Sequence, residues 1–321
     1  ANRWNIPSSA IGGAGSSAST GNLGTVKIYG GNIYAQSALG TAIGGGSSAS
    51  QNGGGASVTI TGGHVVAKSI AANGVSAGAG IGGGSGCTNG TNPNRNGGTA
   101  TIRISGNPII RTGSIGGGKT NNSTGHIGSA DIEISGGDIQ AQFVMAAGAA
   151  EKPKFKMTGG LIRNSDTQDE EYIHIQKNGG AVYLEDGEFS MTDGEIRQCR
   201  AENGGAIYVK GKSNTKFSMT DGKITECIAE NNGGAVYLEG GMVNISGGIV
   251  SHNLANSGNG GAFCIVGGNF SMPDGGNAEI YENAAFSQSD NSRQNQVASG
   301  GNGGGIYVTP VGNDVSVDII S

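Results

Sequence analysis

Charge is scarce in this chain. Only 13% of its 321 residues are Asp, Glu, Lys or Arg, and the formal net charge is −5. No block of like charge exceeds the short patch Asp169-Glu170-Glu171. A phosphate-binding surface needs clustered Lys and Arg, so nucleic acid is not an expected partner. No apolar run approaches the roughly 18 residues of a membrane-spanning helix, so no membrane insertion is expected. No charged-then-apolar leader is visible, and any export signal is expected to have been removed or omitted. Cysteine is scarce too. Four residues are too few for a disulfide scaffold, and without a CxxC pair no zinc or other metal site is expected. The HExxH and Ser-His-Asp patterns are missing or unsupported. Clusters resembling GxGxxG lack the strand-to-helix context of a nucleotide site, so no cofactor is expected. A calcium-binding nonapeptide series does not occur either.

What is abundant is glycine, 65 residues, about a fifth of the chain against a usual ~7%. With Ser and Asn, such a composition would fit a flexible linker, except that the apolar residues keep a schedule. One short apolar strand ending in a turn recurs as "VKIYGGNI" (26–33), "VTITGGHV" (58–65), "IRISGNPI" (102–109), "IEISGGDI" (132–139) and "FKMTGGLI" (155–162). It continues as "FSMTDGEI" (189–196), "FSMTDGKI" (217–224), "VNISGGIV" (243–250) and "FSMPDGGN" (270–277). A second series interleaves with it. Early copies read "AIGGGS" (42–47) or "GIGGGS" (80–85), and later ones "NGGAVYL" (178–184), "NGGAIYV" (203–209) and "NGGGIYV" (302–308).

Within each copy the alternation has period two. Phe189 and Met191, like Phe217 and Met219, point inward, while Ser190 and Thr192 face water. Helical spacing is nowhere sustained, and this much internal glycine penalises a helix heavily. Short strands in units of about 25–35 residues, each apolar on one face, describe a solenoid whose units bury that face only against their neighbours. The expected fold is all-β, a right-handed parallel β-helix of about ten coils with three strands per coil. Stacked at ~4.8 Å, these would make a rod of roughly 45–50 Å. A single domain is expected over 1–321, with GIGGG-type coils over 1–150 and NGGAVY-type coils over 151–321. A β-propeller would need longer, four-stranded units.

Equivalent positions in such a fold stack into columns. Asn178, Asn203, Asn232, Asn259 and Asn302 are expected to form a structural amide ladder. Tyr183, Tyr208, Tyr237 and Tyr307 share an outer face, with Cys264 interrupting and Glu185 close by. Such a row either binds a flat sugar face or a peptide, or simply covers one sheet. Cys199 and Cys227 end equivalent segments on adjacent coils, where a disulfide could span them or both could serve as small buried apolar residues. Asp193, Asp221 and Asp274 stand in turns. Asp186, seven residues before Asp193, makes the one carboxylate pair that would flank a corner, and a glycosidase needs such a pair at ~5–5.5 Å or ~6.5–9.5 Å. Two irregular stretches, 163–177 with Tyr172 and His174, and 284–300, read as loops. Trp4 reads as part of a terminal cap.

The alternation of "VTITGG" with "GAGIGGG", followed by "NGGAVYL…FSMTDGEI" units, resembles right-handed β-helix regions of large secreted or cell-wall proteins of Gram-positive gut bacteria, the pectate-lyase-like adhesive domains. That resemblance implies a secreted or cell-surface setting, contact with glycans or host-surface molecules, and a chain that is a piece of a longer protein. The Asn-Thr-Asp, Asp-Asp and Gly-His-Gly motifs of pectin-degrading relatives are missing. A non-catalytic adhesin or glycan-binding domain is therefore the first expectation. The alternative is a glycoside hydrolase similar to the lacto-N-biosidase type, acting on host or milk glycans, with Asp186 and Asp193 as nucleophile and general acid/base. A rigid spacer without a ligand is a third.

Overall fold

Alternating burial sets the longer strands of this protein, such as Gly24–Ile28 and Ala56–Ile60. The computed structural model describes residues 9–17, 19–38, 40–70, 78–86, 95–118, 126–146, 152–164, 176–287, 299–300, 302–309 and 315–319. Trp4, Cys87, Tyr172, His174 and most of the 284–300 stretch lie outside the described residues. No helix occurs among the described residues, and the strands pair almost entirely in parallel. The exception is the antiparallel pair Phe286↔Gly300. Every parallel pairing joins a strand to its equivalent one repeat later. This is the arrangement of a parallel β-solenoid, in which apolar residues bury only against the coils above and below. The chain divides into two compact units, Ala1–Lys156 and Met157–Ser321.

In the first unit three ladders run through successive repeats. Val26, Val58, Ile102 and Ile132 stack in register in one. Ile33, Val65, Ile110 and Ile139 stack in the next. Ile11, Ile43, Ile81 and Ile115 form the third. Ile60, Val65, Ile81 and Ile110 are fully buried, whereas Lys27 and Thr101 on the alternate positions face outward.

Beside these ladders the packing is made of backbone rather than side chains. Gly54 N donates to Gly46 O, Gly84 N to Gly54 O, Gly98 N to Gly84 O, Gly118 N to Gly98 O and Gly128 N to Gly118 O, all at 2.7–2.9 Å. One hydrogen-bonded chain thus passes back and forth between two columns of glycine. A Cβ on Gly98 would overlap the Gly54 carbonyl, and one on Gly117 would overlap that of Gly128. Glycine is required here because the backbones touch, and the GGG runs are the visible trace of that contact.

In the second unit there are four ladders. Val182, Ile207, Val236, Phe263 and Ile306 share one. Phe189, Phe217, Val243, Phe270 and Val317 share the second. The rings of Phe189 and Phe217 are stacked, with centroids 5.0 Å apart at 19°. Ile196, Ile224, Val250 and Ile280 form the third. Ala201, Ala229, Ala255 and Ala285 form the fourth. This last ladder occupies segments that read as loop in the sequence. Strands as short as Ile228–Ala229 carry no full period of alternation to recognise.

The third and fourth ladders meet at a corner built on non-glycine residues. Gln198, Glu226, His252 and Glu282 all have φ between 51° and 56°, a left-handed conformation that costs an L-residue about 1–2 kcal/mol. The residue after each is buried or half-buried in a column of Cys199, Cys227, Asn253 and Asn283. Asn253 is 1% exposed. Its amide donates to Ile224 O and Ser251 O at 2.9 Å, and its Oδ1 accepts from Cys227 N at 2.9 Å. Those bonds tie the corner's backbone to the buried amide, and Ser251 O also accepts from Glu226 N at 3.3 Å.

Candidate functional site: a tyrosine and carboxylate edge

The strands Val182–Glu185, Ile207–Lys210 and Val236–Leu238 place Tyr183, Tyr208 and Tyr237 in one outward row. Their inward neighbours Val182, Leu184, Ile207, Val209, Val236 and Leu238 are all buried, which fixes the register and hence the row. Cys264 and Tyr307 continue it in register. The rings of Tyr183 and Tyr208 stack at 5.7 Å and 10°, and those of Tyr208 and Tyr237 at 5.3 Å and 7°. Stacking turns the ring faces toward one another; Tyr183 and Tyr237 are half-buried, and Tyr208 between them is only 6% exposed. A flat sugar face has no free ring face within this stack.

Carboxylates decorate that edge. Tyr183 donates its hydroxyl to Glu185 Oε2 at 2.9 Å, and Tyr208 donates to Glu239. Lys210 Nζ stands 3.9 Å from Glu239 Oε1 and follows Glu185 in register. Burial, and then the nearby carboxylates, push the phenols of Tyr183 and Tyr208 well above their ordinary range. Tyr237 is raised chiefly by burial. Burial alone pushes the Cys264 thiol up to about 12. These groups stay protonated at neutral pH, and Tyr183 and Tyr208 donate their hydroxyls to carboxylates of the row.

Asp186 stands at the end of the same strand, at φ 55°, beside Gly211. Asp193 has a different neighbourhood. Its Oδ1 accepts from Gly194 N at 2.7 Å, as Asp221 Oδ1 does from Gly222 N at 2.7 Å. Both are thus engaged in their turns. They line a shallow depression of about 270 Å³ with Gly160, Glu195, Lys223 and Ile249, and Asp186 is not among its walls. The paired run Glu188–Met191 separates Asp186 from Asp193.

The Asn column holds together through Asn259 N to Asn232 Oδ1 at 3.0 Å and Asn302 N to Asn259 Oδ1 at 3.1 Å, with a longer amide contact from Asn232 to Asn203. Cys199 and Cys227 are free and buried. Burial, and then the adjoining Cys227 thiol, hold the Cys199 thiol well above its ordinary range. Among the described residues no group of three or more His, Cys, Asp or Glu could hold a metal ion.

No protein-family model, curated protein or solved structure matches the chain. The chemistry of the edge therefore stands on geometry alone. Glu239 escaped the sequence reading because it lies one residue beyond the strand Val236–Leu238 and meets Tyr208 of the preceding coil.

Proposed function

We propose that this protein is a non-catalytic binding domain of an extracellular surface protein, an adhesin that holds glycans through the tyrosine and carboxylate edge. The reading takes the ladders as coils of a right-handed β-helix with a triangular section, about ten coils in all and three sides to each. In the second unit the two short ladders would share one side. The extracellular setting comes from the style of the repeats.

One observation carries the binding reading. Tyrosine hydroxyls recur along a single edge at the spacing of one strand, ~4.8 Å, and beside them Glu185 and Glu239 stand on either side of Lys210. Sugars present hydroxyl pairs, which a carboxylate accepts and a phenol can either donate to or accept from. A rigid row also loses little conformational freedom on binding, because its rings are already locked by stacking. A glycosidase reading draws no comparable support, since Asp186 and Asp193 answer to different neighbours.

The test is a panel of neutral oligosaccharides of mucin and milk type, read by retention and by calorimetry. Retention without release of sugar, weakened at least ten-fold in Glu239→Gln and in Tyr183→Phe, supports the proposal. Lack of retention on every glycan refutes it and leaves a rigid spacer. Released sugar that disappears in Asp193→Asn refutes it in favour of hydrolysis.

A further inference from the structure

The two units carry opposite charge. Through Lys156 there are ten Lys and Arg against four Asp and Glu, and from Met157 onward nine against twenty. The overall value of −5 conceals a basic unit and a strongly acidic one. Such asymmetry selects ligands by sign.

In the basic unit one sheet face combines cations with apolar surface. The strands Asn32–Ala38, His64–Ile70 and Ile109–Gly116 lie parallel and in register. Their inward positions Ala35, Val65, Ala67 and Ile110 are buried, so the alternate positions point out. Tyr34, Val66 and Arg111 form one outward row, and Gln36 and Lys68 share the next. Tyr34 is 62% exposed and Ile109 45%. Unlike the tyrosines of the second unit, Tyr34 has Val66 as its neighbour in the next coil, and among the described residues no second ring stacks on it. Its hydroxyl donates to Gln36 Oε1 at 3.0 Å, and Lys68 Nζ lies 5.7 Å from its ring centroid. Gly113, beyond Arg111, leaves open space above the sheet. The carboxylate on this face is Asp138, in register with Ile109.

An exposed ring oriented by its own hydroxyl, with an amide and two cations within one or two strand spacings, matches a sugar ring that carries an anion. We propose that this face binds an acidic polysaccharide. The sugar lies on Tyr34, and its carboxylate or sulfate is met by Lys68 and Arg111. A nucleic acid would want a longer run of cations than this face has. The acidic edge of the other unit repels the same ligand, so the two surfaces would sort glycans by charge.

The experiment is affinity electrophoresis and calorimetry of the whole chain with polygalacturonate and hyaluronate, beside neutral dextran and a single-stranded oligonucleotide. The expected result is binding to an acidic polysaccharide that weakens as salt rises, with dextran and the oligonucleotide unbound. Tyr34→Ala should weaken it about ten-fold and Lys68→Gln about three-fold. Lys223→Gln, an exposed lysine of the acidic unit, should leave it unchanged. Both substitutions on the face are exposed or half-exposed, and an unchanged circular dichroism spectrum checks the fold. Lack of binding to either acidic polymer, equal binding of the oligonucleotide or of dextran, or full affinity in both face variants would each overturn the proposal. Retention of neutral glycans on the tyrosine and carboxylate edge is read with different variants, so the two proposals fail separately.

Discussion

Gly98→Ala is the sharpest perturbation of the first unit. The nearest atoms to a Cβ at this position are Gly54 O, Gly54 C and Gly53 C, all of them backbone, so no side chain can rotate away. Gly98 also donates to Gly84 O at 2.8 Å and accepts from Gly118 N at 2.9 Å. To admit a methyl group, Gly98 must move away from Gly54, its equivalent one coil earlier in the same column. That strains or breaks both hydrogen bonds, at about 1–3 kcal/mol each when the groups remain buried. Overpacking adds about 1–3 kcal/mol. The sum is roughly 3–9 kcal/mol, comparable with the whole stability of a typical domain at about 5–15 kcal/mol. The matched control is Gly113→Ala, where a Cβ would meet nothing within 4 Å and φ is not positive. That change should be neutral, or stabilising by about 0.4–1 kcal/mol through the unfolded chain. Urea unfolding followed by circular dichroism reads both. If Gly98→Ala cost less than about 1 kcal/mol, or no more than Gly113→Ala, the claim that glycine backbones touch in this unit would be wrong.

In the second unit, Phe217→Ala removes a fully buried ring stacked 5.0 Å from Phe189; a loss of about 3–5 kcal/mol is expected in the same assay, and a loss under 1 kcal/mol would deny the stacked core. The raised phenols of Tyr183, Tyr208 and Tyr237 make a pH prediction. Up to the ordinary tyrosine value of 10.0 both states keep their protons, and the contribution to stability is constant. Above it the unfolded chain releases protons that the folded row retains, so stability falls as pH rises into the raised native range. Absorbance at 295 nm should show a group of phenols that ionises only as the protein unfolds. Cys199, Cys227 and Cys264 should resist a thiol reagent at pH 8 in the native protein and react in denaturant, since all three are free and buried; a Cys199–Cys227 cross-link in a non-reducing peptide map would contradict this.

Much of the fold was legible because the strands advertise themselves. Phe189 with Met191 and Phe217 with Met219 alternate in plain view, and a turn such as Asp193-Gly194 ends each run. The Ala201, Ala229 and Ala255 ladder was not legible, because strands of two to four residues with small side chains give no period to count. Nor was the glycine packing, since a glycine that must avoid a neighbouring carbonyl reads the same as one in a loose linker. At the candidate site, the tyrosine row followed from spacing alone, but the direction of the rings did not. Ring-on-ring stacking is set by the distance between coils, and it turns the ring faces toward one another. The Asp186 and Asp193 pair shows another limit. Their spacing places them at the ends of successive strands, with the paired run Glu188–Met191 between them, but which groups each carboxylate faces could not be read from spacing.

The most direct test of the stacked, in-register arrangement is a distance between residues remote in sequence. Ser190, Ser218, Asn244, Ser271 and Asp318 occupy successive positions of one outward row. Spin labels placed by cysteine substitution at Ser190 and Asp318 should lie four strand spacings apart, roughly 19 Å, and labels at Ser190 and Ser271 three, roughly 14 Å. The difference between the two pairs, about one strand spacing, is free of the labels' own length. Electron–electron resonance distances that rise by this step would bear out the register, and a separation beyond about 30 Å for Ser190 and Asp318, more than six strand spacings, would contradict it.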